Sequence, residues 1–115
     1  MNKIYYLSSC DTCKRIISDL GLKERKFIFQ DIKTEAITAA QLEEMKKHTG
    51  SYEALFSRVA LKYKTLDPKP STEAEYKKLI LAEYTFLKRP VIFINDKVFV
   101  GNTKSVLEQA KAALK

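Results

Sequence analysis

The chain has no tryptophan, one histidine, two cysteines, three glycines and three prolines among 115 residues. So little glycine and proline, beside 45% hydrophobic and 30% charged residues, excludes a collagen-like, linker-rich or disordered polypeptide. Long hydrophobic runs are missing as well. No wholly apolar stretch exceeds four residues, as in Val91–Ile94, whereas a membrane-spanning helix needs about 20. Met1 to Leu7 carries one charged side chain and too short an apolar stretch for a signal peptide, so the cytosol is the expected compartment. The length is that of one domain.

What is present in excess is positive charge, +7 overall. It is unevenly placed. Residues 1–45 balance to zero, residues 70–83 carry a net −1, and residues 46–69 and 84–115 each carry a net +4. A solvated surface, a nucleic-acid patch and an anion site are the three readings of such segments.

The hydrophobic pattern alternates between two periods. Lys3 to Leu7 reads as a short strand, and Ile16, Ile17 and Leu20 form one face of a helix stopped by Gly21. Lys26 to Ile32 reads as a second strand with Phe27 and Phe29 on one face and Ile28 on the other. Strand, helix, strand within about thirty residues makes a βαβ unit with parallel strands. From Thr38 to Leu87 the pattern is helical. Thr38 caps a helix with Leu42 and Met45 that ends near Gly50, and a shorter helix is expected over Tyr52 to Ser57. After Asp67-Pro68-Lys69-Pro70, Ser71 or Thr72 opens a helix with Tyr76, Leu79, Ile80 and Tyr84 on one face. Arg89-Pro90 starts an extended segment, the apolar Val91–Ile94 reads as a buried central strand, and Asn95-Asp96 turns it back into Lys97–Val100. A last helix carries Val106, Leu107, Ala110, Ala113 and Leu114, with Ser105 and Glu108 at capping-box spacing.

The two cysteines sit as Cys10-Asp11-Thr12-Cys13, between the first strand and the first helix. Unpaired backbone N–H groups and the positive end of the dipole meet a cysteine there, and both favour thiolate. Cys13 follows about one turn later, within reach of a mixed disulfide on Cys10. Lys14 and Arg15 add positive charge, Asp11 opposes it, and the side chain of Asp11 or Thr12 is a candidate helix cap. Three other readings stand beside redox chemistry: zinc, for which only His48 remains as a further soft donor; a structural disulfide, uncommon in a cytosolic chain of this size; and two inert buried thiols. The helix-start context favours redox chemistry.

Three stretches together resemble the arsenate-reductase/Spx family: Cys10-Asp11-Thr12 after the first strand, Gly50-Ser51-Tyr52-Glu53-Ala54-Leu55-Phe56-Ser57-Arg58, and Leu87-Lys88-Arg89-Pro90-Val91-Ile92. The resemblance implies an α/β, thioredoxin-like fold, βαβ…ββα around a mixed four-stranded sheet. Residues 1–33 and 88–115 would form its core and residues 34–87 a helical insertion, in a single domain. It implies catalytic roles for Cys10 and Cys13, substrate binding by Thr12, Arg58, Arg89 and Pro90, and a cis peptide bond at Pro90. In arsenate reductases the cysteine at the position of Cys10 attacks the oxyanion and arginines hold its charge. Those that depend on glutaredoxin use a single active-site cysteine and a third arginine. Here Cys13 offers a resolving thiol, as in Spx-type regulators, and Val91–Lys115 contains no arginine, with Lys97 or Lys104 as the available cations.

The expected function is therefore a thiol–disulfide oxidoreductase acting on an oxyanion or a glutathione-type disulfide. It would hold no bound cofactor and no metal, and would use glutathione, thioredoxin or glutaredoxin as external reductant. The alternative is a redox-sensing regulator that binds the RNA polymerase α-subunit, with the Cys10–Cys13 disulfide as its switch. Direct nucleic-acid binding is not expected, because Tyr5, Tyr6, Phe27, Phe29, Phe93 and Phe99 fall in strands that helices would cover, and no membrane association is expected of a chain whose apolar runs stop at four residues. His48 reads as a cation near a helix C-terminus.

Overall fold

Strand β1 (Lys3–Tyr6) pairs in parallel with β2 (Ile28–Asp31), Lys3 opposite Ile28 and Tyr6 opposite Asp31. On its other side it runs antiparallel to β3 (Val91–Ile94), which in turn pairs antiparallel with β4 (Lys97–Val100). The sheet order is β2-β1-β3-β4, seen in a computed structural model that describes residues 2–115. All four residues of β3 are buried, as an apolar run in a central strand requires. Asn95 makes the turn after it at φ 58, a left-handed conformation that asparagine tolerates.

By contacts, the chain divides into two compact units, one of residues up to Glu35 with Arg89–Lys115 and one of Ala36–Lys88. In the first unit, helix α1 (Asp11–Leu20) buries Cys13, Ile16, Ile17 and Leu20. Ile16, Ile17 and Leu20 pack with Ile4, Leu22, Phe27, Ile92, Ile94 and Ala110. Gly21 ends the helix at φ 64, returning its N–H to the carbonyls of Ile17 and Ser18. Arg25 then donates from Nε to Leu20 O at 3.2 Å and from Nη1 to Leu114 O at 3.1 Å, placing one cation on the closing carbonyls of two helices.

Two expectations for this unit need correction. The second strand begins at Ile28 and not at Lys26, because a 3-10 turn (Leu22–Arg25) ends with Lys26 in the left-handed region, φ 59. Phe27 is thus buried ahead of the strand. Ile28 is 57% exposed on this edge strand, and the fully inward position is Gln30, whose amide donates to Glu35 O at 3.1 Å. The last helix, α4 (Lys104–Ala113), is capped by Thr103 and not by Ser105. Thr103 is the extended residue before the first turn and accepts from Val106 N, while Ser105 already lies inside the helix and accepts from Gln109 Nε2.

The second unit is built on two well-capped helices. Thr38 and Gln41 form a capping box for α2 (Ala39–Thr49), as Thr72 and Glu75 do for α3 (Glu73–Ala82). The expected helix over Tyr52 to Ser57 is a 3-10 turn, Glu53–Leu55, after which Phe56 turns extended and bridges to Leu87. Ser57 N–H donates to Phe86 O, and Lys88 N–H to Leu55 O. Tyr84 lies outside α3, in a 3-10 turn of its own (Tyr84–Phe86), because the helix stops at Ala82. The centre of this unit is Phe56, fully buried and stacked on Phe86, with Tyr76 and Tyr63 against it at 5.1 and 5.8 Å between ring centroids. Among the described residues no helix is long and apolar enough to cross a membrane.

Candidate active site

Antiparallel pairing of β1 with β3 sets Tyr5 opposite Val91. The exit of β1, which continues through Leu7 and Ser8 to Cys10, therefore lies at the same end of the sheet as the entry of β3, which Arg89 and Pro90 precede. The Arg89–Pro90 peptide bond is cis, and Pro90 O accepts from Gly101 N–H at 2.9 Å, which fastens the segment to the end of β4. A second cis bond joins Asp67 and Pro68.

Cys10 is the residue immediately before α1, with extended backbone (φ −99, ψ 113), and neither Asp11 nor Thr12 caps the helix. Its N–H is bonded to Leu7 O and its carbonyl receives Lys14 N–H, so the backbone on both sides is held. Burial of Cys10 works against the thiolate. It is outweighed by the N–H of Cys13, the Cys13 thiol, the N–H of Thr12 and the charge of Arg89, which together bring the Cys10 pKa below that of an ordinary thiol. Cys13 behaves oppositely. Fully inaccessible, it is pushed up to about 11 by burial and by the neighbouring Cys10 charge, against bonding to the Leu7 backbone and the attraction of Arg89. Both thiols are free. One thiol is half-buried and predisposed to ionise, and the other is buried and predisposed to stay protonated.

Five of the six residues singled out in the sequence thus belong to the first unit: Cys10, Thr12, Cys13, Arg89 and Pro90. Arg58 belongs to the second. There its Nη2 donates to Glu53 Oε2 and to Tyr76 Oη, both at 2.8 Å, and the guanidinium lies 5.5 Å from the centre of the Tyr76 ring. His48 sits exposed in the last turn of α2. Among the described residues no three His, Cys, Asp or Glu side chains gather as a metal site.

One contributor escaped the sequence reading. Asp31, at the end of β2, accepts the backbone N–H of Ser8 at 3.3 Å and that of Lys33 at 3.1 Å. Burial opposes its charge, but the bonds from Ser8 and Lys33 and the charge of Lys33 together outweigh it and hold the carboxyl below the usual range. The signal was an acidic residue ending a strand parallel to the one that leads into the cysteines.

The ArsC family model matches residues 5–110 of this chain. The chain belongs to the ArsC family. Its sheet order and helices are those of ArsC thioredoxin-like folds. A protein from Brucella melitensis described as related to arsenate reductase (ArsC) is 28% identical, with a TM-score of 0.70 over 99% of this chain and 94% of its own. A YffB protein superposes with a TM-score of 0.85 over the whole of both chains at 24% identity. An arsenate reductase from Vibrio cholerae does so at 0.77 over 93% of this chain and 95% of its own, at 15% identity. No curated protein matches the chain in sequence. As an ArsC-family member with a thiolate-favouring cysteine at a helix start, the chain is an ArsC-like thiol oxidoreductase.

Proposed function

We propose that Cys10 is the nucleophile of a thiol–disulfide oxidoreductase and that Cys13 resolves the intermediate it forms. The observation that carries this reading is the opposite bias of the two thiols: Cys10 held below an ordinary thiol at the start of α1, Cys13 raised to about 11 one turn further on. A thiolate attacks and a thiol waits. Attack by Cys10 on a disulfide gives a mixed disulfide and releases one thiolate. Formation of the Cys10–Cys13 bond then releases the other half, and an external thiol such as glutathione, or a thioredoxin or glutaredoxin, restores the dithiol. On an oxyanion substrate the same thiolate would bond to the central atom and displace one of its oxygens as water, with Arg89 beside it to hold negative charge, Thr12 contributing its amide and Pro90 bordering the loop. Attack of Cys13 or glutathione on the Cys10 sulfur would then form a disulfide and leave the electron pair of the broken bond on the central atom. The resemblance assigns Arg58 to substrate binding, and its exchange for lysine tests that assignment separately.

Turnover with glutathione or thioredoxin as donor, comparing arsenate with small disulfides, tests the reading. Cys10→Ser is expected to abolish turnover with every substrate, and Cys13→Ser to retain part of it where glutathione resolves the intermediate. Activity that survives Cys10→Ser overturns the proposal.

A further inference from the structure

Beside the loop that leads to Cys10, the flank of α1 opens into a cleft of about 240 Å³ lined by Tyr6, Ser8, Lys14, Ile17, Lys23 and Phe29. A smaller cleft of about 150 Å³ shares Lys14, Ile17 and Lys23 with it and adds Ser18 and Glu24. The two adjoin along these shared residues as a groove wholly within the first unit. Lys14, Ile17 and Ser18 stand four, seven and eight residues after Cys10, which is the spacing of a single helical stripe. The groove therefore runs along the stripe that the nucleophile heads.

Its lining has a definite chemistry. Ile17 forms a buried apolar floor, and Tyr6 and Phe29 meet edge to face with ring centroids 5.9 Å apart. Lys14 and Lys23 stand exposed at the rim, and neither is in a hydrogen bond or an ion pair among the described residues. The one carboxylate in the lining, Glu24, is outnumbered by these two ammonium groups. Two uncommitted ammonium groups over an apolar floor fit a chain that carries carboxylates next to apolar side chains.

Length narrows the occupant. From Cys10 to Ser18 the helix rises about 12 Å, the span of roughly three to four extended residues. All of it lies to one side of the thiol. A tripeptide thiol with sulfur on its middle residue extends only one residue either way and leaves the Lys23 end empty, and an inorganic oxyanion leaves the whole groove empty. We infer that this groove binds an extended acidic polypeptide segment, the residues neighbouring a disulfide-bonded cysteine in a protein substrate, and so selects which disulfide Cys10 attacks. The inference rests on the thiol-exchange reading above and adds a substrate class to it.

The test uses cysteine peptides activated as neutral 2-thiopyridyl disulfides. The Cys10 thiolate bonds to the peptide sulfur, the peptide–pyridine disulfide breaks, and pyridinethiolate leaves with the electron pair. One disulfide replaces another without net oxidation, and the absorbance of the released thione gives the rate. One set of peptides carries two glutamates within four residues of the cysteine, on either side, and a matched set carries glutamines. At low ionic strength one acidic peptide is expected to react about fivefold faster than its neutral match, the size of two exposed charge contacts. Added salt shrinks the difference. The double variant Lys14→Gln/Lys23→Gln loses it. Arg15→Gln, which removes the same charge one position along α1 but outside the groove, keeps it. Equal rates for acidic and neutral peptides in the wild type overturn the inference, as does a preference that survives the double variant or vanishes equally in Arg15→Gln. Failure of the protein to react with any of the peptides overturns the thiol-exchange reading itself.

Discussion

Asp31 and Ser8 are joined by a hydrogen bond across the sheet's end, the Ser8 N–H donating to Asp31 Oδ1 at 3.3 Å. The same oxygen receives Lys33 N–H, so one carboxylate steadies both the exit of β2 and the loop that enters Cys10. Asp31→Ala is expected to destabilise the protein by about 1 kcal/mol, the worth of a partly exposed charged hydrogen bond, and to slow alkylation of Cys10. Because the folded-state pKa of Asp31 is depressed, its contribution is present above the unfolded carboxylate value and is lost as pH falls below about 4. Urea denaturation of wild type and variant across that range checks the sign, since the difference between them must close on the acid side.

The thiols should titrate apart. Iodoacetamide alkylation of the Cys13→Ser protein is expected to reach its half-maximal rate at a pH below 9.0, the ordinary thiol value, and that of the Cys10→Ser protein well above it. Stability follows the same two signs. Cys10, with its lowered pKa, favours the folded state increasingly as pH rises towards 9.0, whereas the Cys13 contribution is full below 9.0 and is lost by about 11. Coincident alkylation profiles would remove the basis for assigning attack to one cysteine and resolution to the other.

Arg89 lowers the pKa of Cys10 by its charge, after burial and the local hydrogen bonds have acted. Arg89→Ala should therefore move the Cys10 alkylation profile to higher pH, and Arg89→Lys should move it less, since the charge persists while the fork geometry is lost. An unmoved profile in Arg89→Ala would show that the helix start alone sets the thiolate.

At the end of the sheet that also carries Pro90, where β4 runs out through Gly101, Thr103→Ala should cost about 1 kcal/mol by uncapping α4, a fall in Tm of about 4 °C for a chain of this size. Ser105→Ala should change stability by less than about 0.5 kcal/mol. Calorimetry on the two variants distinguishes the observed cap from the one that the Ser105/Glu108 spacing suggests.

That pair illustrates what the sequence discloses and what it conceals. Val91–Ile94 announced a central strand because a four-residue apolar run has no solvent face to offer, and Cys10 announced itself by falling where a strand gives way to a helix. Thr38 was legible as a cap and Thr72 only as one of two candidates beside Ser71; the Gln or Glu three residues on completes the box in each. Ser105 had an equally good partner in Glu108, but the choice between Thr103 and Ser105 turns on where the chain leaves its extended path after Gly101, and that is decided by tertiary packing. Lys26 reads as strand because nothing in a lysine marks a left-handed residue, and Asp31 gives no local signal because its partner Ser8 lies 23 residues away. Arg58 was legible as a residue of interest, but not its engagement with Glu53 and Tyr76, the latter 18 residues on.

The tie from Arg25 to Leu114 has an asymmetry of its own. At position 25 the side chain does the work and offers N–H groups from two separate nitrogens of one planar fork, one to Leu20 and one to Leu114; a lysine would have to reach both carbonyls from a single nitrogen. At position 114 the acceptor is the main chain, so any residue there supplies it. Substitution at Leu114 changes what packs against the sheet but leaves this contact intact, whereas deletion of the backbone at that point frees the closing turns of two helices at once. The contact is thus specified by one residue type at one end and by chain length at the other.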